Sequence, residues 1–252
     1  TDLDKLALST EKLLAGTDSK ITTVGYYCNP IQYAEHRKTL ENVICTAGKF
    51  GATHVSTFAG AWEGKPVESA YEEFGKVFRE LADLAEEKGV KLGIENCLMD
   101  GTWEHATCNI GFNPKAWEVM FEEVKNDNFG LEWEPTHQMV QLIDPVTELR
   151  KWCKKIVHIH GKDATIDWDA VRHSGISGAV PFVWHRMPGF GDTNWRDIIS
   201  ILRSNGYEDD ICIEGYHDPV YSGELEMTGQ LHALNYLKWC RGGEFTPTPW
   251  AK

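Results

Sequence analysis

Four short apolar runs in the sequence each end in a side chain that can bind a metal ion or move a proton. Side chains alternate between the two faces of a β-strand, so each of these terminal residues lies opposite the apolar residues of its run. If the apolar faces pack against helices, the terminal residues share the opposite, inner face. They are Glu95 in LGIE, Glu134 in LEWE, His160 in VHIH and Glu214 in ICIE.

Three carboxylates and one imidazole at one edge of a sheet repel one another or take up protons unless a positive charge lies between them. A divalent cation supplies that charge. Ligands rich in oxygen with one nitrogen suit Mn²⁺ first, with Mg²⁺ or Co²⁺ as alternatives. We therefore expect one such cation as cofactor, bound by these four residues. The other interpretation is that they are ordinary polar strand ends paired with loop cations.

The four runs alternate with amphipathic helical segments. Residues 68–89, for example, carry an apolar stripe and a charged face, and Gly89 ends the helix just before the run VKLGIEN. This repeated order predicts an α/β fold with a parallel sheet. Polar residues at the strand ends favour a closed TIM barrel over an open sheet. The sequence lacks the glycine-rich phosphate loops GxGxxG and Walker A.

The barrel is expected to lack its first strands in this chain. Six strands are predicted instead of eight, and the sequence begins with a helix. The segment PFVWHRM, residues 181–187, is predicted to form a loop rather than a seventh strand. We expect a single barrel domain over residues 1–243 and an extended tail over 244–252, where two prolines stand.

Composition excludes several classes of protein. Lys and Arg number 25 against 38 Asp and Glu, a net charge of −13, which argues against binding to nucleic acid or to an anionic membrane. No apolar run approaches the roughly 20 residues of a membrane span. The seven cysteines show no CxxC spacing, which indicates reduced thiols in a cytoplasmic protein.

The motifs GIENC, LEWEPTH, VHIHGKD, MPGFGDTNW and ICIEG resemble the xylose isomerase-like TIM barrels, over about Lys20 to Trp239. That superfamily includes sugar isomerases and epimerases and relatives of endonuclease IV, and its members usually carry two further strands before the point where this chain starts. The resemblance implies the same four metal ligands, although the family usually has Asp where Glu134 stands. It also implies a substrate-binding or supporting role for His137.

The resemblance implies an isomerase or epimerase of a sugar or sugar derivative. Glu95 and Glu214 would flank the substrate carbon, one removing a proton beside a carbonyl and the other returning it, while the metal stabilises the enediolate. The alternative is a lyase that eliminates the aglycone from a 3-keto-glycoside. An endonuclease-like phosphodiesterase fits poorly, because Val183 stands where that site needs Asp. A non-catalytic partner subunit is the fourth interpretation.

Further residues are candidates for contact with a small carbohydrate substrate. The absence of a clear basic cluster favours an unphosphorylated sugar as this substrate. A homo-oligomer is expected only by analogy with the family. Glu132 and His158 are expected to form a buried pair one layer below the metal ligands, and the alternative is that Glu132 pairs with another barrel residue. The candidate substrate-binding residues are Lys162 beside His160, His185 and Arg186 in the long loop before Glu214, and the loop residues Trp62, Trp103 and His105.

Overall fold

The computed structural model describes residues 2–243 and 246–248. The chain divides into two compact units, Thr1–Gln138 with Lys154–Ile159, and Met139–Cys153 with His160–Lys252. Residues 246–248 have no regular secondary structure, and the rest of the expected tail beyond residue 243 lies outside the described residues. The single barrel domain over residues 1–243 stays a prediction.

The first unit contains the parallel strands and helices that lead to Glu95 and Glu134. Its helices include two short 3₁₀ segments, Ala47–Phe50 and Val67–Ala70. The last two residues of β5 and the final residue of α5 belong to the second unit. The elements are α1 (Leu3–Leu14), β1 (Thr23–Gly25), α2 (Ala34–Thr46), β2 (His54–Thr57), α3 (Tyr71–Glu87), β3 (Lys91–Glu95), α4 (Pro114–Glu123), β4 (Phe129–Trp133), α5 (Thr136–Met139) and β5 (Ile156–Gly161).

Apolar packing fixes the strands of this unit. The predicted stripe of α3 is buried, and Phe74 and Phe78 stack with ring centroids 4.6 Å apart while both approach Phe129 of β4. Strands β4 and β5 come close at Gly130, where an added β-carbon would lie 2.3 Å from the carbonyl oxygen of Lys155. Glycine is therefore required at that point of the sheet.

The second unit contributes the last strand of the main sheet and a separate pair of strands. Helix α8 buries one face, on which Trp195, Ile198 and Leu202 lie. The 3₁₀ segments are Cys153–Lys155, which crosses the unit boundary, and Gly223–Leu225. The other elements are α6 (Pro145–Trp152), β6 (Asp163–Ile166), α7 (Trp168–Ser174), β7 (Val183–Arg186), α8 (Trp195–Ser204), β8 (Ile211–Ile213) and α9 (Glu226–Arg241).

Six strands form one sheet in the order β1-β2-β3-β4-β5-β8, as the sequence predicts. Strands β1 to β5 pair in parallel, and Glu214 donates its backbone N–H to Gly161 O at 3.0 Å beside β8. Among the described residues, none of the helices combines the length and apolar character that a bilayer span requires.

The prediction that residues 181–187 form a loop is wrong. Strand β7 pairs antiparallel with β6 in a two-stranded sheet, in which Ala164 lies opposite His185. The partner strand begins only two residues after β5 ends, where the sequence KDATI looks like the start of a loop. This local pairing provides hydrogen-bond partners for the backbone N–H and C=O groups of both segments, which therefore do not join the parallel sheet.

Candidate metal centre

The ends of β3 and β4 bring two carboxylates together inside the first unit. Glu95 is 8% exposed and Glu134 is fully buried. Each offers a carboxylate oxygen, and these oxygens lie within 4.8 Å of one another. Two carboxylates this close in a buried position are stable together only with protons or cations nearby. The structure thus places the first two predicted ligands as a pair.

Two buried asparagines hold the backbone that carries these carboxylates. Asn96 donates from Nδ2 to Glu134 O at 2.9 Å and accepts from Glu134 N at 2.8 Å, which fixes the end of β4 against the end of β3. Asn109 donates from Nδ2 to Glu95 O at 2.9 Å. Sequence reasoning missed both residues. Asn96 directly follows Glu95, but nothing local shows that its partner lies on another strand.

His137 lies in α5, directly after β4, and contacts the second carboxylate. Its Nε2 is 2.8 Å from Glu134 Oε1. Burial lowers the pKa of His137, but the negative charge of Glu134 and hydrogen bonds to Cys97 and Glu134 outweigh burial and raise that pKa to about 10. His137 therefore supplies a positive charge beside Glu134, which fits the supporting role that the family resemblance implies.

In the second unit, the ends of β5 and β8 join an imidazole to a carboxylate. His160 Nδ1 lies 3.1 Å from Glu214 Oε2. Lys162 is 3% exposed, and its Nζ donates to Glu214 Oε1 at 2.6 Å. Lys162, predicted as a substrate-binding residue, is in contact with a neighbouring carboxylate. Glu214 thus carries a buried ammonium partner.

Asp163, next to Lys162, organises the loop that follows β7. Its fully buried carboxylate accepts hydrogen bonds from the backbone of Gly189 at 3.0 Å and of Thr193 at 2.9 Å. An added β-carbon at Gly191 would lie 2.3 Å from Asp163 Oδ1, so the loop closes directly on the carboxylate. Burial raises the pKa of Asp163, opposed by these hydrogen bonds.

The two candidates in the long loop lie on β7. Arg186 donates from Nε to Asp218 Oδ2 at 3.3 Å, and its guanidinium carbon lies 5.8 Å from the centre of the Phe190 ring. The His185 ring lies 5.6 Å from that of His217, in an edge-to-face arrangement. Both residues therefore belong to one cluster with the segment that follows Glu214.

The remaining candidates lie in loops of the first unit. Trp62, in the loop after β2, is half-buried. The indole N–H of Trp103 donates to Glu68, and the exposed His105 donates its backbone N–H to Thr102. These hydrogen bonds stabilise the loop of Trp103 and His105, whose role toward a substrate stays a prediction.

A buried polar layer of the first unit contains Glu132 and His158, and both kinds of partner expected for Glu132 occur in it. His158 Nε2 lies 3.8 Å from Glu132 Oε1, and both side chains are buried. Shorter hydrogen bonds to Glu132 come from Tyr27 at 2.8 Å and Ser56 at 2.6 Å. Sequence reasoning did not identify these two hydroxyl donors, because each lies on or after a different strand.

The donor set suits a hard or borderline divalent cation. The first unit offers carboxylate oxygens at two strand ends, and the second offers an imidazole nitrogen and a carboxylate. Mn²⁺, Mg²⁺ and Co²⁺ accept this mixture, and Zn²⁺ also binds carboxylate and imidazole. The residues present therefore fit the cation that the sequence predicts.

Comparison with known proteins identifies relatives among carbohydrate enzymes. An inosose dehydratase of Clostridium tetani is 26% identical over 182 residues, covering 70% of this chain. The chain spans 57% of the length of that relative.

Two solved structures show the same fold. A crystal structure of IOLI protein with a binding zinc atom has a TM-score of 0.67 and 20% identity, covering 95% of this chain and 80% of that one. The 3-keto-D-glucoside 4-epimerase YcjR of E. coli has a TM-score of 0.69 and 14% identity, covering 94% and 86%. The profile of the xylose isomerase-like TIM barrel family matches residues 4–238. The chain belongs to the xylose isomerase-like TIM barrel family.

Proposed function

We propose that the protein is a divalent-metal-dependent enzyme that removes a proton beside the carbonyl of a small polyhydroxylated ketone. The observation that carries this proposal is that buried Glu95 and Glu134 bring carboxylate oxygens within 4.8 Å of one another, a donor pair that suits a divalent cation. His160 and Glu214 complete the proposed ligand set. These four residues lie in or directly after the last residues of β3, β4, β5 and β8, which are successive neighbours in one sheet.

The residues of the chain have distinct roles in this proposal. When bound, a divalent cation polarises the carbonyl and stabilises the charge that develops on its oxygen. Glu95 accepts the proton from the neighbouring carbon, and Glu214 with Lys162 acts at the other side of the substrate. Mn²⁺ is the first ion to test, and the zinc of the IOLI protein adds Zn²⁺ to the ions that the sequence suggests.

Elimination is the reaction that this geometry supports best. The buried ammonium of Lys162 lies 2.6 Å from Glu214 and can supply a proton to a departing hydroxyl. Glu95 takes the carbon-bound proton, and the electron pair of the broken carbon–hydrogen bond forms a carbon–carbon double bond. The hydroxyl takes a proton from Lys162 and leaves as water. The relative named inosose dehydratase supports loss of water from a cyclic keto-polyol. Loss of an aglycone from a 3-keto-glycoside is the same chemistry with another leaving group.

Epimerisation is the second candidate. Glu95 and Glu214 lie at the ends of different strands, so one carboxylate can remove a proton and the other can return it. The structural likeness to a 3-keto-D-glucoside 4-epimerase supports this candidate. In epimerisation, Lys162 would only hold Glu214 in position.

Proton NMR in D₂O distinguishes these reactions. The Mn²⁺-loaded protein is incubated separately with an inosose, a ketohexose and a 3-keto-glycoside. Elimination gives an unsaturated product with loss of water or aglycone, and epimerisation gives an epimer that carries deuterium beside the carbonyl. The Glu95→Gln variant is the control and should show neither. Absence of deuterium incorporation and product from all three substrates in the wild-type protein contradicts the proposal.

We also propose a cytoplasmic location, because all seven cysteines lie in the described part of the chain and are free thiols. The substrate is proposed to be an unphosphorylated carbohydrate. A homo-oligomer stays a prediction from the family. These points are independent of the reaction type.

A further inference from the structure

The segment that follows Glu214 packs tightly on the end of β7. An added β-carbon at Gly215 would lie 2.0 Å from the terminal methyl of Met187. The side chain of Met187 therefore packs against the backbone of Gly215, although its flexible end could shift to admit a larger residue. The segment after Glu214 thus lies beside Met187, which directly follows His185 and Arg186, the two loop candidates on β7.

Asp218 locks this segment through its buried carboxylate. Oδ2 accepts from Met187 N at 2.7 Å, and Oδ1 accepts from Val220 N and Tyr221 N, both at 2.8 Å. Arg186 adds the hydrogen bond to Oδ2 described above. Asp218 thus ties the residues that follow it to the backbone after β7, and its own N–H donates to Gly215 O at 3.2 Å, which restricts the turn that contains the residue before it.

The residue before Asp218 is His217, and it has a left-handed backbone conformation with φ of 71°. Residues other than glycine rarely adopt this conformation, and such strain concentrates at functional sites. Glycine would remove the strain at this position. The histidine side chain is nevertheless present and exposed to solvent.

Three polar rings meet at this position. The ring of His217 lies 3.9 Å from that of Tyr216 and 5.6 Å from that of His185, both edge-to-face. Tyr216 is 70% exposed. The cluster offers two imidazoles and a phenol, which donate and accept hydrogen bonds, and Tyr216 and His217 lie only two and three residues beyond Glu214. Hydroxyl groups of a polyol match these donors and acceptors.

We propose that His217 contacts the substrate and that Tyr216 and His185 flank it, forming a surface that binds the hydroxyl groups of a keto-polyol. This inference rests on the proposed function and names the part of the site that recognises the substrate. The alternative is that His217 only tolerates a tight turn imposed by Asp218.

Replacing His217 separates the two interpretations. His217→Gly removes both the ring and the backbone strain, while His217→Asn keeps a polar side chain that tolerates the left-handed conformation. His173→Asn on α7 is the matched control, because His173 is also exposed. Binding of myo-inositol and of D-fructose is measured by isothermal titration calorimetry with MnCl₂ present, and Tm is measured on the same samples.

We expect His217→Gly to raise Tm and to weaken polyol binding about tenfold, as loss of one hydrogen bond does. His217→Asn should recover part of the affinity, and the control should match the wild-type protein. Wild-type affinity in His217→Gly with a raised Tm would overturn the inference, because His217 would then only occupy the turn that Asp218 imposes. Failure of the wild-type protein to bind either polyol would overturn it too. The NMR test of proton removal then judges the proposed function separately.

Discussion

At the residue scale, the candidate site depends on Glu134, the ligand where this chain departs from the usual aspartate of its family. Its side chain is fully buried, its backbone is bound to Asn96, and its carboxylate contacts His137. Asn96 precedes β4 in the sequence and His137 follows it. They place the longer side chain beside Glu95 and leave the proposed ligand role intact.

Neutralising one buried carboxylate should abolish activity. We expect Glu134→Gln to reduce kcat/KM by at least about 100-fold, because the amide is a poor ligand for a divalent cation. Steady-state kinetics on the substrate identified by NMR measures this loss. Glu122→Gln, on the exposed surface of α4, is the control and should retain wild-type activity. Equal activity of the two variants would contradict the ligand role.

The pKa of His137 predicts a pH dependence of stability. Its pKa in the folded state, about 10, exceeds the ordinary value of 6.5. The resulting stabilisation is fully present below pH 6.5 and is lost as pH rises through 10. In EDTA-treated protein, the free energy of unfolding should therefore fall between pH 7 and 10, by up to about 4 kcal/mol. Urea denaturation across this range measures the fall, and His137→Gln should show a smaller one. Identical pH profiles would contradict this role.

The alternation of side chains along a strand predicts four candidate ligands from sequence alone, because each ends an apolar run. They are Glu95, Glu134, His160 and Glu214. The residues that hold them are hidden from sequence, since a buried amide such as Asn109 makes its contacts across the fold. Pairwise contacts of this kind depend on the register between distant segments. Sequence periodicity predicts the strand but does not contain that register.

At the element scale, the approach of β4 to β5 depends on one glycine. Because an added β-carbon at Gly130 would collide with the carbonyl of Lys155, we expect Gly130→Ala to lower the free energy of unfolding by about 1–3 kcal/mol. Urea denaturation measures the change. Gly48→Ala is the control, since a β-carbon there meets no atom within 4 Å. A loss of stability in Gly48→Ala equal to that in Gly130→Ala would contradict the packing argument.

The pair of strands β6 and β7 shows where element prediction from sequence fails. The run VWHR has strand-like residues, yet its partner DATI follows β5 after one residue and looks like a loop. No helix separates β5 from β6, so the alternation of helices and strands does not mark β6 as a strand. The six strands of the main sheet follow the repeated helix–strand pattern and were therefore predictable.

At the scale of the whole molecule, cation binding should stabilise the folded chain. A ligand that binds only the folded state at 100 times its Kd adds about 2.7 kcal/mol. We expect EDTA to lower Tm and added Mn²⁺ to restore it, measured by differential scanning calorimetry. The same additions should leave Tm of Glu134→Gln unchanged. A Tm of the wild-type protein that responds to neither addition contradicts cation binding.

The family and the fold class follow from patterns spread over the whole chain, which is why sequence analysis identified both. The reaction does not follow in the same way. Elimination and epimerisation share the metal ligands and the first proton transfer, and they differ in what Lys162 and Glu214 do afterwards. That difference depends on the position of a substrate, which no sequence pattern specifies.

The most direct test of the central claim is calorimetric titration of the EDTA-treated protein with Mn²⁺. We predict about one ion bound per chain in the wild-type protein and in Glu122→Gln, and strongly weakened binding when any one of Glu95, Glu134, His160 and Glu214 is replaced. Wild-type affinity retained in those four variants, or no binding of Mn²⁺ or Zn²⁺ to the wild-type protein, would contradict the account.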